Sequence, residues 1–367
     1  MIDRLAERAV RRTFERCDVH IGGDRPWDIQ VHDNAWYRRM ALNPALHLGE
    51  GYLDGLWDCD AIDELHHKLL TSEVGRLQYG VKHLWRTLRA RLRNPQSRSR
   101  AVEVAEHHYD VGAELFSRML DQETMSYTCA FWNTGDSLSR AQVNKLEMIC
   151  DKLELREGER LLDVGCGFGG LAEYAARTRG ARVVGITNSK LHQETAAKRC
   201  AGLPVEILLL DYRDLPALGR TFDKVASIEM IEAVGPRNFA TYMNAVHSVL
   251  RSGARFVIQS FLSEGSLQVC NEWFDRHIFP NGVTPSLEQL AGATQGNFGE
   301  PLRVQKMGPH YPPTLMAWSD NLHAWFKDEP HAASERERRK WRFYLHGLAG
   351  VFRAGDLDLC QLEYRRP

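Results

Sequence analysis

Residues 160–170, Arg-Leu-Leu-Asp-Val-Gly-Cys-Gly-Phe-Gly-Gly, restrict the chain to few folds. Leu161 and Leu162 read as the end of a buried strand, and Asp163 stands where that strand stops. Gly165, Gly167, Gly169 and Gly170 follow, a turn free to take positive φ and to bring backbone against a ligand. A helix over 171–177 comes next, and the alternation continues. Candidate strands lie at 160–164, 182–187, 205–210, 222–228 and 254–260, with helices such as 189–200 and 239–250 between them. This pattern predicts an α/β fold built on a mostly parallel sheet with helices on both faces. Ligands in such sheets bind beyond the carboxyl ends of the strands, where the strand order reverses. Asp163, Thr187, Asp211, Glu229 and Gln259 collect at that rim. The tail, 262–367, is aromatic-rich and is expected to cap it.

The glycine turn alone does not choose between nucleotides, because dinucleotide enzymes use one too. After the second strand, Gly185-Ile186-Thr187-Asn188-Ser189 lacks the acidic residue that grips an adenosine ribose in those enzymes, which weakens a dehydrogenase reading. Asp211-Tyr212-Arg213-Asp214, after the third strand, offers a carboxylate and an aromatic face to an adenine, or else forms a surface turn.

The bulk numbers narrow the class further. The 367 residues suffice for a sizeable core plus a smaller domain. A net charge of -1 implies no global attraction to nucleic acid, and no nucleic-acid partner is expected. No apolar run approaches the roughly 18–20 residues that span a bilayer, so any membrane contact is expected to be peripheral. The charged start, Met-Ile-Asp-Arg-Leu-Ala-Glu-Arg, lacks a secretory apolar stretch, and the eight scattered cysteines show no metal spacing. A cytoplasmic protein with free thiols and no metal is the expectation.

Residues 2–16 carry Ile2, Leu5, Ala6, Ala9, Val10 and Phe14 at helical spacing, with arginines between them, and predict an amphipathic helix, packed on its own domain in preference to lying on a membrane surface. Residues 61–92 read as helical again. From 76 to 100 every charged residue is basic, and Asn94-Pro95-Gln96-Ser97 reads as a linker. That stretch is either a solvated face or a patch for anionic headgroups, each basic residue then contributing on the order of 1 kcal/mol.

A longer set of motifs is more specific. His108-Tyr109-Asp110-Val111-Gly112, 115–121, Met125-Ser126-Tyr127-Thr128-Cys129-Ala130-Phe131-Trp132 and 164–170 come first. Ile231-Glu232-Ala233-Val234-Gly235, Ile278-Phe279-Pro280-Asn281-Gly282, 311–318 and Ala349-Gly350-Val351-Phe352-Arg353 complete the order. Together with the segment around 49–59, these residues resemble the cyclopropane-fatty-acyl-phospholipid synthase family over nearly the whole chain. The resemblance implies a Rossmann-like class I methyltransferase sheet with a helical cap, plus a small amino-terminal α+β domain. The expected boundaries are 1–88 for an amino-terminal domain serving dimerisation and membrane docking, 89–102 for the basic linker, and 103–367 for the catalytic domain. It further implies a homodimer, peripheral to the inner face of the membrane, that acts on unsaturated phospholipid.

The implied cofactor is S-adenosylmethionine. Gly165, Gly167 and Gly169 would lie at its methionine end, with Asp163 at the strand end and Tyr127 and Thr128 over it. Thr187 and Gln193 would lie near the ribose, and Asp211 and Tyr212 near the adenine. The implied chemistry is methylation of a cis alkene, followed by loss of a proton from the new methyl to close a three-membered ring. Such a site must be dry and must hold a base. Aromatic faces stabilise a cation without attacking it, by about 2 kcal/mol when desolvated; Tyr311, Trp318 and Phe261 are the candidates. The family's base is a bound bicarbonate. Its anion cage carries over to Cys129, Glu232, Tyr311 and the backbone at Phe261, while the histidine position falls on Gln259 and the histidine after the glutamate falls on Ala233. Glutamine donates to an anion but does not shuttle a proton.

Taken singly, Cys129 fits a buried core thiol, Glu232 a helix-terminal carboxylate, Tyr311 a packed ring and Gln259 a satisfier of backbone groups. Their joint occurrence in order carries the functional reading. The departures at Gln259 and Ala233 leave two alternatives open: a methylene- or methyl-branched product, and a lipid- and cofactor-binding homologue without turnover.

Overall fold

A computed structural model of the chain describes residues 2–73, 96, 113–263, 268–269 and 271–367. The basic stretch 76–100, apart from Gln96, and the His108–Gly112 motif lie outside the described residues. The chain divides into two compact units. One takes in Met1–Arg89, Val269–Pro280 and Tyr311–Leu357; the other takes in Ala90–Gln268, Asn281–His310 and Asp358–Pro367.

The second unit is built on a seven-stranded sheet. Its strands are β1 (Arg160–Val164), β2 (Arg182–Thr187), β3 (Val205–Leu209), β4 (Phe222–Ile228), β5 (Leu250–Leu262), β6 (Arg303–Lys306) and β7 (Asp358–Arg365). The spatial order is 3-2-1-4-5-7-6, with the first five strands parallel and β7 antiparallel to both β5 and β6. The order reverses between β1 and β4, which puts the ligand crevice at the end of β1. The five parallel strands match the sequence reading, and β5 is longer than the 254–260 expected. Strands β6 and β7 escape that reading, and both belong to the tail that was expected to cap the rim. Their sequences, Arg-Val-Gln-Lys and Asp-Leu-Cys-Gln-Leu-Glu-Tyr-Arg, alternate too weakly to stand out; pairing of β7 with the buried β5, and of β6 with β7, decides their state.

One face of this sheet buries the Leu138–Lys152 helix through Leu146, Ile149 and Cys150. These meet Leu161, Val183, Ala226 and Val257 of the strands and Leu171, Ala172 and Ala175 of the Gly170–Arg179 helix. Local signals mark the helix ends. The Ser137 hydroxyl accepts from the Arg140 N–H, the Ser189 hydroxyl from the His192 N–H, and Gly180 closes the 170–179 helix at φ +63°.

The first unit is helical with one pair of two-residue strands, Gln30–Val31 and Trp57–Asp58. Its Ile2–Glu15 helix buries Ala6, Val10 and Phe14, four residues apart, as the amphipathic spacing predicts, while Leu5 stays exposed. Phe14 meets Trp36 at 6.0 Å between ring centroids. The segment around 49–57 that carries part of the family resemblance is packing. A Cβ on Gly49 would sit 2.5 Å from Trp273 and one on Gly51 2.4 Å from Trp36, so both positions demand the absence of a side chain.

Residues 311–357 group with this unit and not with the sheet, unlike the expected 103–367 domain. The Glu335–Arg353 helix packs on the Ile62–Thr71 helix, and a Cβ on Gly350 would lie 2.3 Å from the Asp63 carbonyl oxygen. Arg353 pairs with Asp63, and the Arg339 guanidinium lies 4.0 Å over the Tyr52 ring while donating to the Trp57 carbonyl at 2.8 Å. Among the described residues, no helix is long and apolar enough to cross a membrane, and the seven described cysteines are buried and unbonded to one another.

Candidate active site

The crevice at the end of β1 is bounded by the glycine turn. Gly165, Gly167 and Gly169 all have positive φ, at +82°, +51° and +85°. They differ in what they face. A Cβ on Gly165 would lie 2.7 Å from Met230 and one on Gly169 2.9 Å from Ala196, whereas one on Gly167 meets nothing within 4 Å. Gly167 is therefore the glycine whose backbone looks into open space. Gly170 plays another part: its missing Cβ makes room for the Thr124 carbonyl, 2.1 Å from where that atom would be. The 121–126 turn is closed by Asp121, whose carboxylate accepts from the Thr124 N–H at 2.6 Å and the Thr124 hydroxyl at 2.9 Å.

The residues after this turn run along the crevice. Tyr127 is half-buried with its ring 5.0 Å from Phe116, edge to face. The Thr128 hydroxyl accepts from Lys145 Nζ at 2.8 Å, and the Thr128 carbonyl accepts from Gln142 Nε2 at 2.9 Å. Asp163 is 2% exposed, and its Oδ2 has no hydrogen-bond partner among the described residues. Burial pushes its carboxyl up to about 7, opposed by the charge of Lys145. A buried carboxylate oxygen without a donor is costly to leave so, and a bound polar ligand would satisfy it. Thr187 Oγ1 accepts from the Ser189 N–H, and Gln193 is half-buried on the 190–199 helix. Asp211 is engaged by Arg213, accepting from its N–H at 2.9 Å and its guanidinium at 2.8 Å. Tyr212 is buried edge to face on Tyr242, with the Arg213 guanidinium over its ring. Asp163, Thr187 and Asp211 thus stand at the carboxyl ends of β1, β2 and β3, with Tyr212 beside Asp211 and Gln193 on the helix after β2. The open space at Gly167 and the orphaned Asp163 oxygen fit an S-adenosylmethionine.

The anion-cage candidates fall into two hydrogen-bonded groups. In one, Glu229 Oε1 accepts from the Cys129 N–H at 2.9 Å and from Gln259 Nε2 at 2.6 Å, and Gln259 Oε1 accepts from Gln361 Nε2 at 2.7 Å. In the other, Glu232 Oε1 accepts from the Phe261 N–H at 2.8 Å and the Ser260 hydroxyl at 2.9 Å. Glu232 Oε2 is buried with no hydrogen-bond partner among the described residues. Burial, with the Glu229 charge behind it, pushes the Glu232 carboxyl up to about 8, so it is protonated at neutral pH. None of the hydrogen bonds of Glu232 goes to Gln259. Tyr311 belongs to the helical unit, where it is 3% exposed and packs on Phe352 at 4.7 Å and Trp318 at 6.3 Å.

The sequence places Glu229 at the rim without giving it a role, and it does not single out Lys145. Glu229 lies at the rim just after β4 in a left-handed conformation, φ +51°, that costs a non-glycine residue roughly 1–2 kcal/mol. Its position after a buried strand was the available signal. For Lys145 there was none, because a lysine in a helix reads as solvated.

Comparison with known proteins agrees with this architecture. Residues 96–362 match the family model of mycolic acid cyclopropane synthetase. The chain is 40% identical over 360 residues to the cyclopropane-fatty-acyl-phospholipid synthase of Escherichia coli K12, covering 98% of this chain and 93% of that one. It is 37% identical over 280 residues to a probable fatty acid methyltransferase of Pseudomonas putida, covering 72% and 70% of the two chains. The solved structure of the mycolic acid cyclopropane synthase CmaA1, complexed with SAH and CTAB, matches with a TM-score of 0.65 at 26% identity, over 72% of this chain and 98% of that one. With its motifs in family order on a methyltransferase sheet, this chain belongs to the cyclopropane synthase family of S-adenosylmethionine-dependent methyltransferases.

Proposed function

We propose that the protein transfers a methylene from S-adenosylmethionine to the cis double bond of an unsaturated phospholipid acyl chain, giving a cyclopropane ring, with bound bicarbonate as the base. The substrate class rests on the relatives, foremost the Escherichia coli synthase. S-adenosylmethionine, when bound, supplies an electrophilic methyl group. The alkene π electrons form the new C–CH3 bond as the methyl's bond to sulfur breaks, the S–C electron pair leaving with S-adenosylhomocysteine and a positive charge remaining on the neighbouring chain carbon. A proton of the new methyl then passes to the base, and the released C–H pair closes the ring.

The chain's own residues suit this sequence. Gly167 lets backbone approach the donor's methionine end, and Tyr127 and Thr128 lie along the same crevice. Thr187 and Gln193 serve the ribose, and Asp211 and Tyr212 the adenine. The observation that carries the anion-base reading is Glu232. Ser260 and Phe261 occupy its Oε1, so a protonated Oε2 remains to donate a hydrogen bond. An ionised carboxylate would repel bicarbonate, whereas a neutral carboxyl donates to it, as short charge-assisted bonds require. Cys129 is fully buried, its N–H tied to Glu229. We further propose a homodimer that contacts the membrane peripherally from the cytoplasmic side.

A second reading is a methylene- or methyl-branched product. The Gln259 amide is committed to Glu229 and Gln361, and Ala233 carries no proton, so neither position moves a proton as a histidine would. Unsaturated phospholipid vesicles incubated with protein and S-adenosylmethionine, with and without added bicarbonate, separate the readings by mass spectrometry. A ring product that depends on bicarbonate supports the first. An acyclic methylene, equal in mass but different in fragmentation and hydrogenation, supports the second. Donor binding without any S-adenosylhomocysteine formed would refute both, in favour of a binding homologue.

A further inference from the structure

The Leu138–Lys152 helix carries an ammonium to a place that water does not reach. Lys145 is 1% exposed, and its Nζ donates to Thr128 Oγ1 at 2.8 Å. The charges acting on it come from separate elements. They are Glu229 after β4, Asp121 after the Ala113–Met119 helix, the Cys129 thiol, and Asp163 at the end of β1. Its own helix adds neutral partners to the same segment. Gln142 Nε2 reaches the Ser126 and Thr128 carbonyls at 3.3 Å and 2.9 Å, and Asn144 Nδ2 reaches the Phe131 carbonyl at 3.2 Å. Across from them, Glu229 holds the Cys129 N–H. The Thr128–Cys129 step is thus clamped between a buried cation and a half-buried carboxylate.

A buried ammonium is unfavourable unless nearby charge and hydrogen bonds repay its desolvation, and an apolar side chain of similar length fills the same volume more cheaply. We infer that Lys145 is a positioning residue of the methyl-donor site, holding the Thr128 hydroxyl along the crevice and supplying the positive charge that faces Asp163 and Glu229. This rests on the donor-site reading above. The electrostatics agree: burial pulls Lys145 down to about 8, and Lys145 is the charge that opposes the burial-driven rise of Asp163 to about 7. Without the ammonium, Asp163 holds its proton to higher pH and offers a neutral carboxyl to a cationic donor near pH 7.

Calorimetric titration of the full chain with S-adenosylmethionine from pH 6 to 9 tests this in wild type, K145M, K145R and T128V. K145M is expected to bind about tenfold more weakly at pH 7, with the gap closing to about threefold by pH 9. K145R, which keeps the charge, is expected to recover most of the affinity at pH 7. T128V is expected to bind several-fold more weakly at every pH, with a profile of wild-type shape and a lowered Tm, because the buried Lys145 ammonium loses its acceptor. Should K145M not fold, T128V and K145R carry the test, and wild-type affinity in T128V overturns the inference. A K145M loss that is equal at all pH values and not rescued by K145R also overturns it, leaving the donor site standing. A wild-type chain that does not bind S-adenosylmethionine at all overturns the donor site and this inference together.

Discussion

Replacing Glu232 with glutamine tests the electrostatics of the candidate site directly. In the fold the Glu232 carboxyl is pushed up to about 8 by burial and by Glu229, while in an unfolded chain it titrates near its ordinary 4.5. Between those values the folded protein holds a proton that the unfolded chain has lost. The contribution of Glu232 to stability is therefore greatest below about pH 4.5 and is lost as pH rises through about 8. One proton of difference is worth about 1.4 kcal/mol per pH unit, so the loss between pH 5 and pH 8 is on the order of 4 kcal/mol. Glu232→Gln keeps an acceptor for the Phe261 N–H and the Ser260 hydroxyl but does not titrate. Urea unfolding at intervals from pH 5 to 8 should show the variant gaining on wild type as pH rises, by that order. Asp163, raised to about 7, slopes the same way but is common to both proteins and cancels in the comparison. Parallel curves for the two proteins would mean that Glu232 is ionised in the fold, and the neutral-donor argument for anion binding would then fail. The same variant should retain donor affinity while losing turnover; equal loss of both would move Glu232 into the donor site.

Other outcomes follow from particular contacts. Gly167→Val should abolish calorimetric S-adenosylmethionine binding by filling the open space over the turn, with the fold retained by circular dichroism; undiminished affinity would refute the placement. Gly350→Ala should destabilise the helical unit by about 1–3 kcal/mol in urea unfolding, because the new Cβ meets the Asp63 carbonyl at 2.3 Å. A change within a few tenths of a kcal/mol would show that the 335–353 and 62–71 helices part easily. Binding to anionic liposomes should weaken as salt is raised from low to physiological strength if the basic residues between 76 and 100 contribute. Binding indifferent to salt would point to apolar insertion.

Local sequence determined the five parallel strands, the glycine turn and the helix caps, because each follows from periodicity or from a single residue's backbone preference. The open face at Gly167 also lies where the motif puts it. The motif alone does not say, however, that Gly165 and Gly169 are pressed against Met230 and Ala196 while Gly167 is free. Strands β6 and β7 were decided by tertiary pairing, since mixed segments take their state from a neighbouring strand, β7 from the buried β5 and β6 from β7. The grouping of 311–357 with the amino-terminal residues depends on glycines that admit a neighbouring helix, a contact made across hundreds of residues of chain. The charge states are the clearest case. Glutamate, aspartate and lysine announce their types in the sequence, but burial pushes Glu232 and Asp163 up and Lys145 down, because it removes water from all three. Desolvation is a property of what surrounds a group, and that is settled only when the chain has folded.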